Sequence, residues 1–394
     1  METAASNVAS FPVSRMKPRA GLVLTGGGAR AAYQVGVLKA VRDILGNPAR
    51  NPFPILCGTS AGAINVASLA AYADDFKRAV GNLIEFWENM RCEHIYRTGS
   101  WHTLKSGVRW LAAMMLLSRH NPVSLLDNAP LRELLEKHLD FPRIQLNLDS
   151  GALYAVCVTA SGYTSGQSVS FFQGGAGLEG WERNQRIGAA VTLKLDYLLA
   201  SASLPFIFPA VKVHREYFGD GSMRQIAPVS PALHLGADRV LIAGTGRQAG
   251  DDVRLRSNVY PSLAQIAGHA LNSIFLDTLM VDIERRERIN RTVKLIPPEM
   301  MTDSSLRPIK VLFITPSQPI ERLAARFLHE LPASVRLLLR PSGALNRSGS
   351  NLASYLLFER SFCSALIDLG YQDTVSREAE VRDFFDSTEG HAHG

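Results

Sequence analysis

A chain of 394 residues, 46% hydrophobic and 20% charged, has material for one large core or two ordinary ones, which excludes global disorder. The formal net charge of +6 is modest and its lysines and arginines are scattered, so no nucleic-acid stripe is present; a mildly basic chain is compatible with attraction to anionic headgroups, which charge alone does not establish. Four widely spaced cysteines (Cys57, Cys92, Cys157, Cys363), the lack of an apolar leader and the lack of an eighteen-residue apolar run argue against a disulfide framework, a zinc site, secretion and a membrane span, and give a cytoplasmic expectation.

Residues 1–19 read as a polar arm. Ala20 to Thr25 forms a buried strand that runs into Gly26-Gly27-Gly28-Ala29-Arg30 and then a helix over 31–45. Gln34, Leu38, Val41 and Leu45 recur there at helical spacing, with Val37 and Ile44 widening the face, and Gly46-Asn47-Pro48 ends it. Three adjacent glycines exceed the needs of a tight strand–helix turn. Without Cβ atoms they let the backbone approach a ligand and turn N–H groups toward an anion, either a phosphate or the oxyanion of a tetrahedral intermediate. Gly26-x-Gly28-x-x-Ala31 nominally fits a relaxed dinucleotide fingerprint, yet the second strand ends in Leu56-Cys57-Gly58, without the acidic residue that would hold a ribose. No Gly-Lys-Ser/Thr follows, so a phosphate P-loop is absent.

A second apolar run, Phe53 to Cys57, stops at Gly58-Thr59-Ser60-Ala61-Gly62 and continues as an alanine-rich helix to about Ala73. Strand, sharp turn, helix is the setting in which Gly-x-Ser-x-Gly becomes a nucleophile elbow: small residues on either side of Ser60 make room for a strained turn at a helix N-terminus. Residues 75–150 read as a helical insertion. Within it, 97–119 carries Arg97, Lys105, Arg109 and Arg119, with Trp101, Leu104, Val108, Leu111 and Met115 on one face; this suits a membrane-surface helix, a cap over a lipid groove, or a plain core helix.

Strands are expected at 152–159 and 168–173, a helix over 187–202, and a proline-punctuated apolar loop at 201–209. A strand over 211–218 ends in Gly219-Asp220-Gly221-Ser222, where flanking glycines let the carboxylate face a cleft. A strand at 239–245, a long helix at 262–290, a strand at 311–315 and helices at about 320–330 and 351–370 complete the chain.

With Gly26–Arg30, Gly58–Gly62 and Asp220-Gly221 in this order, the sequence resembles the patatin-like phospholipases over about residues 20–245. The loop Ser201-x-Ser203-x-Pro205-x-x-Phe208-Pro209 resembles the family too. Ala31 and Ser222 depart from it, each a small residue in place of glycine or of glycine/alanine. The resemblance implies a three-layer α/β/α domain with a mostly parallel central sheet, and leaves 246–394 as a helical C-terminal extension. It also implies that Ser60 is the nucleophile and Asp220 its partner. Gly26, Gly27, Gly28, Ala29 and Arg30 would form the oxyanion loop, with Arg30 orienting it or attracting a headgroup phosphate. Gly58, Thr59, Ala61 and Gly62 would form the elbow, and Gly221 the aspartate turn. The implied activity is hydrolysis of acyl esters in phospholipids or lysophospholipids through an acyl-enzyme, with peripheral membrane contact through 97–119 and no metal or cofactor; no acidic calcium loop is seen. A thioesterase or carboxylesterase with the same dyad, and a non-catalytic lipid-binding or regulatory protein, are the alternatives. A Ser-His-Asp triad would need His234, His269 or His329, and none has a strand-end setting.

Overall fold

A computed structural model describes residues 19–99, 124–246, 260–274, 278–296, 308–346 and 349–386. Ten strands form one sheet: β1 (Ala20–Leu24), β2 (Ile55–Thr59), β3 (Ala155–Gly162), β4 (Ser168–Gly174), β5 (Trp181–Arg183), β6 (Arg186–Ala190), β7 (Val211–Val213), β8 (Glu216–Asp220), β9 (Arg239–Ala243) and β10 (Lys310–Ile314). The order is β10-β9-β1-β2-β3-β4-β6-β5, and the five strands from β10 to β3 run parallel. β4 turns back against β3, and the β7–β8 hairpin joins β3 near its end.

The central strands are buried on both faces, which is why they read as continuous apolar runs. Their side chains still alternate. Leu22, Leu24, Leu56, Val156, Val158 and Leu241 point into the larger core, and Val23, Ile55, Cys57, Cys157, Val240 and Ile242 into a smaller one behind the sheet. Helices α1 (Ala32–Ile44) and α2 (Ala61–Ala71), with Phe76–Glu88 and Arg360–Val375, cover the first face; Ser230–His234 and Thr278–Val293 cover the second. Three α/β/α layers result, as expected. Gly46 and Asn47, at φ 70° and 59°, end α1 where the sequence indicated.

The expected helix at 187–202 divides instead. Residues Arg186–Ala190 are strand β6 and only Leu195–Ser201 is helical, because the Trp181 ring of β5 lies over Gly188 and the backbone there pairs with β4. The single strand at 211–218 is a hairpin, broken where His214 takes φ 54°. The stretch 262–290 contains Leu263–Asn272, started by a Ser262–Gln265 capping box, and Thr278–Val293. The helix expected at 351–370 divides into Ser350–Leu356 and Arg360–Val375. Of the basic amphipathic stretch 97–119, residues 100–119 lie outside the described residues. Among the described residues no helix is long and apolar enough to cross a membrane.

The C-terminal stretch does more than pack on the outside. β10 pairs with β9 from Lys310↔Arg239 to Ile314↔Ala243, so one sheet spans residue 245.

Candidate active site

At the end of β2 the chain reverses into α2, and Ser60 sits at the turn with φ 56° and ψ −130°. A non-glycine residue in this region carries strain of order 1–3 kcal/mol and persists only when its surroundings hold it. Two contacts do so. The Ser60 N–H donates to Ser201 Oγ at 2.8 Å, while the Ser201 hydroxyl donates to the Thr159 carbonyl at 2.6 Å. A side chain at Gly62 would overlap the Leu24 and Thr25 carbonyls, which supplies the steric reason for glycine there. Thr59 is held from its side chain, Oγ1 donating to Gln225 Oε1 at 2.8 Å.

Sheet register brings Asp220 to the same spot. Thr59, the last residue of β2, pairs with Thr159 of β3, and Ala160, the next residue of β3, pairs with Asp220. β4 already occupies the other edge of β3 at Ala160 and Ser161, so β8 takes over the edge that β2 vacates. Asp220 is only 1% exposed. Its N–H donates to the Ser203 carbonyl at 2.9 Å, and its Oδ1 accepts from the Ser222 N–H at 2.9 Å. Oδ2 is buried without a formed hydrogen bond among the described residues. Burial pushes the carboxyl up to about 6, and the Ser60 hydroxyl and then the Ser222 N–H draw it back only in part. The Ser60–Asp220 contact is therefore close enough to be felt but looser than a formed hydrogen bond.

The glycine loop follows β1 at the same end of the sheet, since Leu24 pairs with Gly58. Gly28 has φ 55° and packs so closely on the Tyr355 carbonyl that a Cβ would overlap it. Thr245 Oγ1 donates to the Gly26 carbonyl at 2.5 Å, and Gln34 Nε2 to the Thr25 carbonyl at 2.7 Å. Among the described residues the N–H groups of Gly27, Gly28 and Ala29 donate to no protein acceptor, as befits the opening of a helical turn. Gln34 read as part of an apolar stripe; it is instead a buried link, accepting from Asn65 Nδ2 at 3.0 Å, while Asn65 Oδ1 accepts from Trp87 Nε1 at 2.8 Å.

Arg30 is 1% exposed, its guanidinium held inside the protein. Its Nε donates to Ser354 Oγ at 2.7 Å, Nη1 to Asn272 Oδ1 at 3.2 Å, and Nη2 to the Asn351 carbonyl at 3.1 Å and to Asn351 Oδ1. The guanidinium also lies 4.0 Å over the Tyr355 ring, whose hydroxyl donates to Asn272 Oδ1 at 2.8 Å. Of the two roles considered for Arg30, this geometry fits orientation of the loop. No sequence signal marks Asn272, Asn351, Ser354 or Tyr355, which lie 242–325 residues away.

Ser60 and Gly28 line one apolar cavity, walled by Ile64, Trp87, Met90, Leu204, Phe208 and Phe358 among others. At 40 Å³ it has the room of a few water-sized molecules, not of an acyl chain. Among the described residues no histidine lines it. His234 stacks on Trp181 behind the sheet, and His329 is exposed beside Glu330, so neither completes a triad here.

Residues 22–233 match the patatin-like phospholipase family. A cGAMP-activated phospholipase from Pseudomonas aeruginosa is 29% identical over 213 residues, 54% of this chain and 55% of that protein; the chain thus spans about half the length of this curated relative. Among solved structures, VipD from Legionella pneumophila aligns with 88% of this chain and 67% of its own, at 12% identity and a TM-score of 0.31. The human GIVD cytosolic phospholipase A2, in complex with methyl gamma-linolenyl fluorophosphonate, aligns with 94% and 59% at 14% identity and a TM-score of 0.43. With more than half of its length matched, the chain belongs to the patatin-like phospholipase family.

Proposed function

We propose that this protein hydrolyses acyl esters of phospholipids or lysophospholipids, with Ser60 as nucleophile and Asp220 as its base. The observation that carries this reading is the meeting of a strained Ser60 and a buried Asp220 beside an apolar cavity. A serine hydroxyl needs a base within reach to attack an ester. Asp220 Oδ2 is buried and unspent, and its raised pKa makes it a better proton acceptor than an ordinary carboxylate. Attack by Ser60 Oγ forms a bond to the acyl carbon while the proton passes to Asp220. The oxyanion that results is held by the unspent N–H groups of Gly27, Gly28 and Ala29, a kind of contact worth about 3 kcal/mol per donor. Collapse expels the lysolipid or glycerol oxygen, which takes the proton back from Asp220. Water then attacks the acyl carbon while its proton passes to Asp220, the bond to Ser60 Oγ breaks, and Ser60 takes that proton back as the fatty acid leaves.

The N–H of Ser60 points to Ser201 Oγ, so it takes no part in the oxyanion hole.

An alkyl fluorophosphonate tests the reading directly. It should label the folded wild type on Ser60 and leave Ser60→Ala unmodified, with release of fatty acid from phospholipid vesicles lost in parallel. Labelling elsewhere, with activity retained in Ser60→Ala, would remove Ser60 from this role.

A further inference from the structure

Behind the sheet, on the face away from Ser60, four arginines gather with one carboxylate among them. Arg183 and Arg186 stand directly opposite each other across the β5–β6 hairpin, an arrangement in which like charges cost stability. Arg285 and Arg286 come from the facing helix Thr278–Val293, close enough for their charges to act on Arg186. Asp282, one turn before Arg286, is the carboxylate on which the charges of Arg186, Arg285 and Arg286 act. Its side chain is 1% exposed and faces Arg286 Nε at 3.5 Å, while Oδ2 accepts from the Val229 N–H at 3.1 Å.

One carboxylate against four guanidiniums leaves a surplus of three positive charges. His234 stacks on Trp181 at 4.8 Å and adds no charge near pH 7, because burial, and then Arg183, Arg186 and Arg286, hold its pKa down at about 4. Arg186 Nη1 donates to Ser230 Oγ at 3.2 Å, but its Nε is buried and meets no acceptor among the described residues. Arg286 is likewise only 20% exposed, so its charge is poorly solvated. A cluster that repels itself, keeps a buried donor unspent and fills no catalytic need is what an anion site looks like without its anion. The planar fork of arginine fits phosphate oxygens in particular.

We propose that Arg183, Arg186, Arg285 and Arg286 form a binding site for a ligand carrying a multiply charged phosphate group, separate from the Ser60 cavity. The site does not depend on the hydrolase reading. It does touch that chemistry's framework: Arg186 and Asp282 grip Ser230 and Val229, in the segment that leads from Asp220 through Gln225, the partner of Thr59.

Thermal unfolding at constant ionic strength tests this, with sodium pyrophosphate exchanged for sodium chloride to separate binding from screening. Pyrophosphate should raise the Tm of wild type in a saturable way. The double variant Arg183→Gln/Arg285→Gln, which leaves the Asp282–Arg286 pair intact, should bind about a hundredfold more weakly, about tenfold for each charge-assisted contact removed; Arg183→Lys/Arg285→Lys should keep part of the effect. Cosedimentation with phosphatidic acid vesicles, against phosphatidylcholine, distinguishes a lipid headgroup from a soluble phosphate. Capture by the acidic vesicles alone, lost in the glutamine variant, assigns the site to a membrane lipid. Stabilisation by pyrophosphate, lost in the same variant, assigns it to a free ligand. The proposal is overturned if wild type responds to neither, if the response survives in the glutamine variant, or if that variant is less stable than wild type without ligand, since the arginines would then serve the fold.

Discussion

Replacing Asp220 by asparagine should make the protein more stable at neutral pH while destroying its proposed activity. The folded protein holds a proton on Asp220 up to about pH 6, whereas an unfolded carboxyl releases it near 3.8. Between these values folding takes up a proton, so stability falls as pH rises, and the loss is complete above the folded pKa. A difference of about 2 in pKa, at about 1.4 kcal/mol each, makes the ionised carboxylate cost about 3 kcal/mol at pH 7. Its full burial means that little solvent screening reduces this figure. Asn is nearly isosteric, keeps an oxygen for the Ser222 N–H and carries no charge, so Asp220→Asn removes that cost. Urea unfolding of both proteins from pH 4 to 8 measures it. The two curves should nearly coincide at about pH 4 and separate to about 3 kcal/mol by pH 7, with the variant on top. A gap independent of pH, or a variant less stable at pH 7, would show that Asp220 is not a strained buried carboxylate, and the argument for its heightened basicity would go with it.

The same ionisation should govern rate: kcat/KM of wild type should rise with pH through about 6 and then level, and a profile flat from pH 5 to 8 would take Asp220 out of the rate-determining step. Ser354→Ala leaves the buried Arg30 Nε without its acceptor, a loss of about 2 kcal/mol in stability; because Arg30 anchors the glycine loop, kcat should fall at least tenfold with KM little changed. Equal kcat in wild type and variant would reduce the Arg30 network to a fold contact. Gly62→Ala drives a methyl group into the Leu24 and Thr25 carbonyls and should cost about 1–3 kcal/mol in urea unfolding while lowering fluorophosphonate labelling. Labelling at the wild-type rate would mean that the elbow tolerates relaxation.

Why the serine and aspartate could be read from the sequence, and their supports could not, follows from where the constraints lie. Gly58, Ser60 and Gly62 are imposed on one another within five residues, by a turn too tight for side chains, so the requirement is written locally. The β strands were visible for a similar reason, since burial on both faces forces unbroken apolar runs. Where a stretch is covered on one side only, composition misled: Ile187-Gly188-Ala189-Ala190 reads as helix, but pairing with β4 and the Trp181 ring over Gly188 decide for strand. Arg30 shows the larger limit. Its motif position was legible, yet its orientation depends on Asn272, Asn351 and Ser354, ordinary helix residues brought to it only by the fold.

Ser201 and Ser203 join both kinds of information. They stood out only as part of an apolar, proline-punctuated loop, with nothing to say what they touch. Folded, Ser201 Oγ receives the Ser60 N–H, and the Ser203 carbonyl receives the Asp220 N–H, both within one helix end and its exit. One short segment thus fixes the backbone of both residues. A strained serine and a destabilised carboxylate would each relax if held separately; tied to two serines of one short segment, they are held together.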